Sequence, residues 1–196
     1  MKPEGDAKRR GRRLFILVAS IFVVPLATAF LLYYSSGWRP MVNTHGMLID
    51  PPRPLAVAGI ALADGRPVPP DVFLGHWSVV YPADACNERT AELLDELARV
   101  RIALDKDAGR VRRVLLHGGQ CSSFEFPSHD ADLLVLAATG PGGEAFRAQF
   151  PLAVDGGHGI YIVDPHGNLM MSYPAAGSAR GLLTDLERLL RLSSIG

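Results

Sequence analysis

Apolar positions follow two regimes along this chain. Between residues 14 and 34 they run for 21 positions without a charge, and about 20 helical residues cross the hydrocarbon core of a bilayer. That stretch predicts one membrane-spanning helix. Beyond residue 75 the apolar positions come in short bursts parted by turn residues. Residues 77–81 (WSVVY) predict a strand. In 88–104 the residues Ala91, Leu94, Leu97, Val100, Ala103 and Leu104 recur close to helical spacing. Residues 111–117 predict a strand centred on Val114, Leu115 and Leu116, residues 133–137 a short strand, and 144–150 a short helix. Residues 160–163 and 168–173 predict two strands joined by the turn Asp164, Pro165, His166 and Gly167. Leu182, Leu183, Leu186, Leu189 and Leu190 give 179–192 one apolar face, an amphipathic helix.

The order of these elements is strand, helix, strand, short helix, hairpin, helix. A parallel crossover followed by an antiparallel hairpin and a covering helix is the thioredoxin arrangement, an α/β fold with a central mixed sheet flanked by helices. Between the span and this domain lie Pro40, Pro51, Pro52, Pro54, Pro67, Pro69 and Pro70. Proline fixes φ and removes an amide donor, so no long helix is expected there. Residues 56–63 predict a short strand, and Asp64 with Gly65 a hairpin turn. The expected division is a basic cytoplasmic tail at 1–13, a transmembrane helix at 14–36, a Pro-rich tether with entry strands at 37–75, and a thioredoxin-like periplasmic domain at 76–196.

Composition narrows the classes. Hydrophobic residues make up 48 %, too many for a disordered chain. Lys plus Arg and Asp plus Glu number 20 each, so the basic excess of a general nucleic-acid binder is missing. The balance hides an asymmetry: Lys2, Lys8, Arg9, Arg10, Arg12 and Arg13 precede the apolar run against only Glu4 and Asp6. Such a cluster stays cytoplasmic, which places the domain on the far side, the periplasm of a bacterium, with the inner membrane spanned once. Tyr33, Tyr34 and Trp38 suit the opposite interface. Ala27, Thr28 and Ala29 spell a signal-peptidase pattern, a rival reading. The apolar run continues past it to Tyr34, which favours an uncleaved anchor.

There are two cysteines, Cys86 and Cys121. A disulfide-dense scaffold and a four-cysteine zinc site are thereby excluded, leaving room for one redox pair or a mixed-ligand metal site. In such a sheet the chemistry sits at the carboxyl ends of the parallel strands. Cys86 falls there, five residues past Tyr81 and just before a helix. Gly140, Pro141, Gly142 and Gly143 read as a loop, without the lysine of a phosphate-binding one. Arg99, Arg101, Arg110, Arg112 and Arg113 read as a solvated helix face and a polar strand border. His45 reads as a hydrogen-bonded structural residue, His76 as the start of a strand, and His129 and His166 as solvated. Met170 and Met171 alternate faces, one toward the core.

Several stretches carry a family likeness: Trp38, Arg39 and Pro40; residues 45–55 (HGMLIDPPRPL); Asp64 and Gly65; residues 74–77 (LGHW); residues 100–104 (VRIAL); Arg110 and Val111; and above all residues 159–174 (GIYIVDPHGNLMMSYP). On these residues the chain resembles the Sco/SenC proteins, membrane-anchored thioredoxin-like factors for copper-site assembly in cytochrome c oxidase. It looks in particular like single-pass bacterial membrane proteins associated with that assembly. The resemblance implies an accessory role with oxidase subunits or other assembly factors as partners, and copper as cargo or cofactor. In Sco proteins two thiolates of a C-x-x-x-C motif and a distant histidine before a late strand hold copper. Cys86 matches the first cysteine, position 90 is Thr90, and His158 is the nearest candidate for the histidine. A hydroxyl is a poor copper ligand, so the implied site is degenerate.

Cys121 offers a substitute thiol. It lies four residues past His117, at the end of the second parallel strand, and parallel neighbours end at the same sheet edge. Three readings stay open: a Cys86–Cys121 disulfide, a Cys86, Cys121 and His158 metal site, and no joint role. Three functions follow. The first is a membrane-tethered assembly factor. The second is a thiol–disulfide oxidoreductase using Cys86, alone or with Cys121, its pKa lowered by a helix N-terminus. The third is a scaffold that has lost the chemistry. With no complete C-x-x-C or C-x-x-x-C motif, an enzyme is the less favoured class.

Overall fold

A computed structural model describes residues 4–34, 44–119, 121, 132–152 and 157–195. The chain divides into two compact units, Met1–Asn43 and Thr44–Gly196. The first contains the helix α1 (Glu4–Tyr34). Its segment Gly11–Leu32, 22 residues of mean hydropathy 2.6, is long and apolar enough to cross a membrane. The helix starts ahead of the apolar run, inside the basic cluster, because lysine and arginine are good helix formers. Ser20 and Thr28 donate back to the carbonyl oxygens of Leu17 and Val24 at 2.8 and 2.7 Å. Neither hydroxyl therefore needs a partner outside the helix.

The second unit has strands β1 (Met47–Pro54), β2 (Ala61–Leu62), β3 (Trp77–Ala83), β4 (Val111–His117), β5 (Leu133–Ala137), β6 (Ile160–Val163) and β7 (Asn168–Tyr173). Its α-helices are α2 (Glu88–Ala103), α3 (Gly140–Arg147) and α4 (Ala179–Leu192), with a 3-10 turn at Asp105–Arg110 after α2. Among the described residues the strands form one sheet in the order β1-β7-β6-β3-β4-β5-β2. β3, β4 and β5 are parallel, and β6, β7 and β1 add antiparallel on one side. This is the mixed thioredoxin-type sheet.

Side-chain alternation builds two core layers. Val79, Val111, Ile160, Ile162 and Met171 pack under Leu93 and Leu97 of α2 and Leu182 and Leu186 of α4. Val80, Val114, Leu116 and Tyr161 face the other way, onto Phe146 of α3, Phe150 and Phe73. Met171 is the core-facing member of its pair, as alternation requires. At the far edge, the turn at Asp64 and Gly65 forms: Gly65 N donates to Leu62 O, and Leu62 N to Arg66 O.

The structure corrects several expectations. The strand expected at 56–63 is only Ala61–Leu62. α3 begins at Gly140, not at residue 144, so Gly140, Pro141, Gly142 and Gly143 form its first turn rather than a loop. Proline suits that turn, because its missing amide is one of the helix's orphan donors anyway. Arg113 is not at a solvated border but 1 % exposed. Val111, Arg113 and Leu115 share a sheet face, and α2 covers it. Arg113 donates there to Leu94 O at 3.1 Å and to Asp132 Oδ2 at 3.0 Å. Arg101 and Arg110 are likewise tied down, donating to Val111 O and to Leu190 O and Ser193 O. The tether residues 37–43 and His129 lie outside the described residues.

Candidate functional site

Ala83 and His117 are register partners on the parallel strands β3 and β4. The two chain segments therefore leave the sheet side by side. One reaches Cys86 and the other Cys121, and the two are joined by a disulfide with Cα atoms 5.1 Å apart. Cys121 is 4 % exposed. Cys86 is half-buried and so the more open to attack.

The turn that carries Cys86 is held by its own helix. Asn87 caps α2 by accepting from Thr90 N at 3.1 Å. Thr90 Oγ1 donates to Ala85 O at 2.7 Å. The position matching the second Sco cysteine is thus a buried structural hydroxyl.

His158 precedes β6 and pairs in a short bridge with Leu152. Its side chain is 9 % exposed, with Nε2 3.8 Å from Asp84 Oδ1. Its Nδ1 is buried without a hydrogen-bond partner among the described residues. Burial holds this imidazole below its ordinary range; Asp84 opposes the shift and Arg147 adds to it. His158 is accordingly neutral near pH 7, the form that ligates metals. His117 also lies below the ordinary range, through burial first and Arg147 second. Its Nδ1 accepts from Gly119 N at 3.2 Å.

Asp84 and Arg147 complete the edge, and neither stood out in the sequence. Arg147 Nη2 donates to Asp84 Oδ1 at 2.5 Å. They are 63 residues apart and belong to no motif, so only the fold brings them together. Arg147, Phe150, Leu152 and His158 line a groove beside the cysteines' edge.

Among the described residues no three histidines, cysteines or carboxylates cluster as a metal site. With both sulfurs spent on each other, neither is the thiolate that binds metal. The two sulfurs suit a soft ion only after reduction, when Cys86 and Cys121 would be free to hold it; His158 contacts Asp84 at this edge.

Residues 77–193 match the family described as transmembrane-like, thioredoxin-like, C-terminal domain. The chain belongs to this family. No curated protein matches it in sequence. Among solved structures, this thioredoxin-like chain is similar to yeast Sco1 with copper bound, at 15 % identity and a TM-score of 0.56, covering 72 % of this chain and 95 % of that one. It is similar to apo Sco1 from Thermus thermophilus at 19 % identity and a TM-score of 0.55, covering 77 % and 99 %. It is similar to BsSco, described with a disulfide switch and as a member of the Sco family of cytochrome c oxidase assembly proteins, at 15 % identity and a TM-score of 0.54, covering 75 % and 99 %. At these identities the likeness establishes the shared fold.

Proposed function

We propose that this chain is a membrane-anchored, periplasmic accessory factor of cytochrome c oxidase assembly. It handles copper through a Sco-like site in which Cys121 takes the place of the thiol absent at Thr90. Residues 1–13 are the cytoplasmic tail, 14–36 the single span in the bacterial inner membrane, 37–75 the tether and entry strands, and 76–196 the working domain. Its partners are the lipid bilayer and oxidase subunits or other assembly factors.

The observation that carries this reading is the Cys86–Cys121 disulfide at the carboxyl edge of two neighbouring parallel strands. Reduced, the pair offers two soft thiolates, and His158 is the imidazole assigned as the third donor, a set suited to Cu(I). Oxidised, it offers none. The similar Sco structures, one with copper bound and one with a disulfide switch, support the same assignment. The apolar helix and its basic flank support the anchor and its orientation.

The test is Cu(I) titration of the full chain in detergent, reduced anaerobically and, separately, oxidised. The reduced chain is expected to take up copper, the oxidised chain and the Cys86→Ser and Cys121→Ser variants none, and His158→Ala less. A reduced chain without uptake, or uptake that survives Cys86→Ser, overturns the copper role.

A second reading, a thiol–disulfide oxidoreductase, is favoured by the greater exposure of Cys86 just before α2. A Cys121→Ser chain that traps partner proteins as mixed disulfides through Cys86, with no copper uptake in the wild type, would select it.

A further inference from the structure

We propose that Arg147 is a positioning residue for the Cys86–Cys121 couple, a clamp across the two loops that bring the sulfurs together. This rests on the reading of that couple as the working site. Arg147 ends α3, and its guanidinium meets both loops. Nη2 donates to Asp84, two residues before Cys86. Nη1 occupies the space over Gly118, three residues before Cys121, where a Cβ would collide with it. The side chain is 16 % exposed although Asp84 is 64 % exposed. The arginine therefore lies between the loops rather than above them.

The root of the clamp is fixed. Phe146, the preceding residue, is 1 % exposed. Its ring stacks on Phe73 at 6.2 Å and meets Phe150 edge-on at 5.7 Å. A planar fork can grip a carboxylate and lie flat over a glycine at once, which an ammonium cannot. Holding both loops before the bond forms raises the effective concentration of one thiol at the other, so the equilibrium moves toward the disulfide.

The reaction read is reduction by glutathione. Two glutathione thiols supply two electrons and two protons, the Cys86–Cys121 bond breaks, and two cysteine thiols and one glutathione disulfide result. The full chain in detergent is equilibrated across a glutathione redox series, and its thiols are alkylated and counted. Arg147→Ala is expected to shift the constant toward the dithiol by about tenfold, ~30 mV for a two-electron couple. Asp84→Asn, a surface change, is expected to shift it the same way. The double variant should go no further than Arg147→Ala, and Arg147→Lys should recover only part. Gly118→Ala keeps every charge but blocks the seat, and should also shift it.

An arginine that merely supports the fold weakens oxidised and reduced chains equally and leaves the constant unmoved. Constants within twofold of wild type for Arg147→Ala and Asp84→Asn overturn the proposal while leaving the redox couple standing. A bridge that stays shut in wild type and variants alike overturns the working-site reading, and the clamp with it.

Discussion

Thr90 donates its hydroxyl to the carbonyl oxygen of Ala85 at 2.7 Å, at the position where a Sco protein carries a thiol. With 2 % exposure this residue is part of the turn that presents Cys86, and not a vestige facing solvent. Thr90→Ala should cost about 1–2 kcal/mol, the range for a lost buried hydrogen bond at a helix start. Thr90→Cys should recover part of that, because S–H is only a weak donor. The introduced thiol should resist alkylation in the folded chain and react once urea unfolds it. Equal reaction rates in the folded and unfolded chains would show that the pocket is open.

A second buried group secures the start of the domain. Asp185 of α4 is 2 % exposed and its Oδ2 accepts from His45 N at 2.9 Å, Gly46 N at 3.0 Å and Tyr173 Oη at 2.9 Å. Burial, and then the bond to Asp185 and its charge, push the Tyr173 phenol far up, so it stays a donor. Asp185→Ala strands three donors and should cost about 3 kcal/mol or more, with Tyr173→Phe costing about 1–3 kcal/mol. Urea unfolding followed by fluorescence measures both. A loss within about 1 kcal/mol for Asp185→Ala would mean that water reaches the donors.

What could be read from the chain beforehand follows its periodicities. The β6–β7 hairpin and α4 carry clear patterns, a period-2 alternation after a turn and a five-leucine stripe. That Cys86 and Cys121 sit at one sheet edge follows from strand order, since parallel neighbours end together. Gly-Pro-Gly-Gly has the composition of a helix breaker, which conceals the start of α3, and the packing of that turn depends on a contact between Gly143 and Ala138 that no local pattern encodes. The charge of Arg113 points to solvent, whereas its alternation with Val111 and Leu115 marks the buried face. Asp84 and Arg147 had no local signal at all; distant ion pairs rarely do.

The Arg113–Asp132 pair predicts the acid limb of stability. Burial raises the Asp132 carboxyl, but the Arg113 hydrogen bond and the charges of Arg113 and Arg101 outweigh it and hold the group below its ordinary value. The folded chain therefore keeps this carboxylate ionised where the unfolded chain, with an aspartate pKa of about 3.9, binds a proton. Its contribution is complete above that value and is lost as pH falls toward the lower folded one. Asp132→Asn should be less stable than wild type at pH 7 and converge on it in acid. Parallel urea curves from pH 7 to 3 read this, and a constant gap across the range would exclude the pair as its source.

Two adjacent glycines in α3 should behave differently when given a methyl group. Gly143 is buried, and a Cβ there would collide with the backbone of Ala138, which cannot yield. At Gly142 the Cβ would lie 3.0 Å from Gly59 Cα in a separate segment, a contact that a small shift relieves. Alanine also gains about 1 kcal/mol over glycine in a helix. Gly142→Ala should therefore be near neutral, while Gly143→Ala should lose about 1–3 kcal/mol through overpacking. Because α3 carries Arg147, displacing it should also loosen the grip on Asp84. The Gly143→Ala chain should then open its disulfide at a higher ambient potential than wild type, and Gly142→Ala at the wild-type one. Equal stability losses at the two positions would mean that the tight approach to Ala138 does not fix this helix.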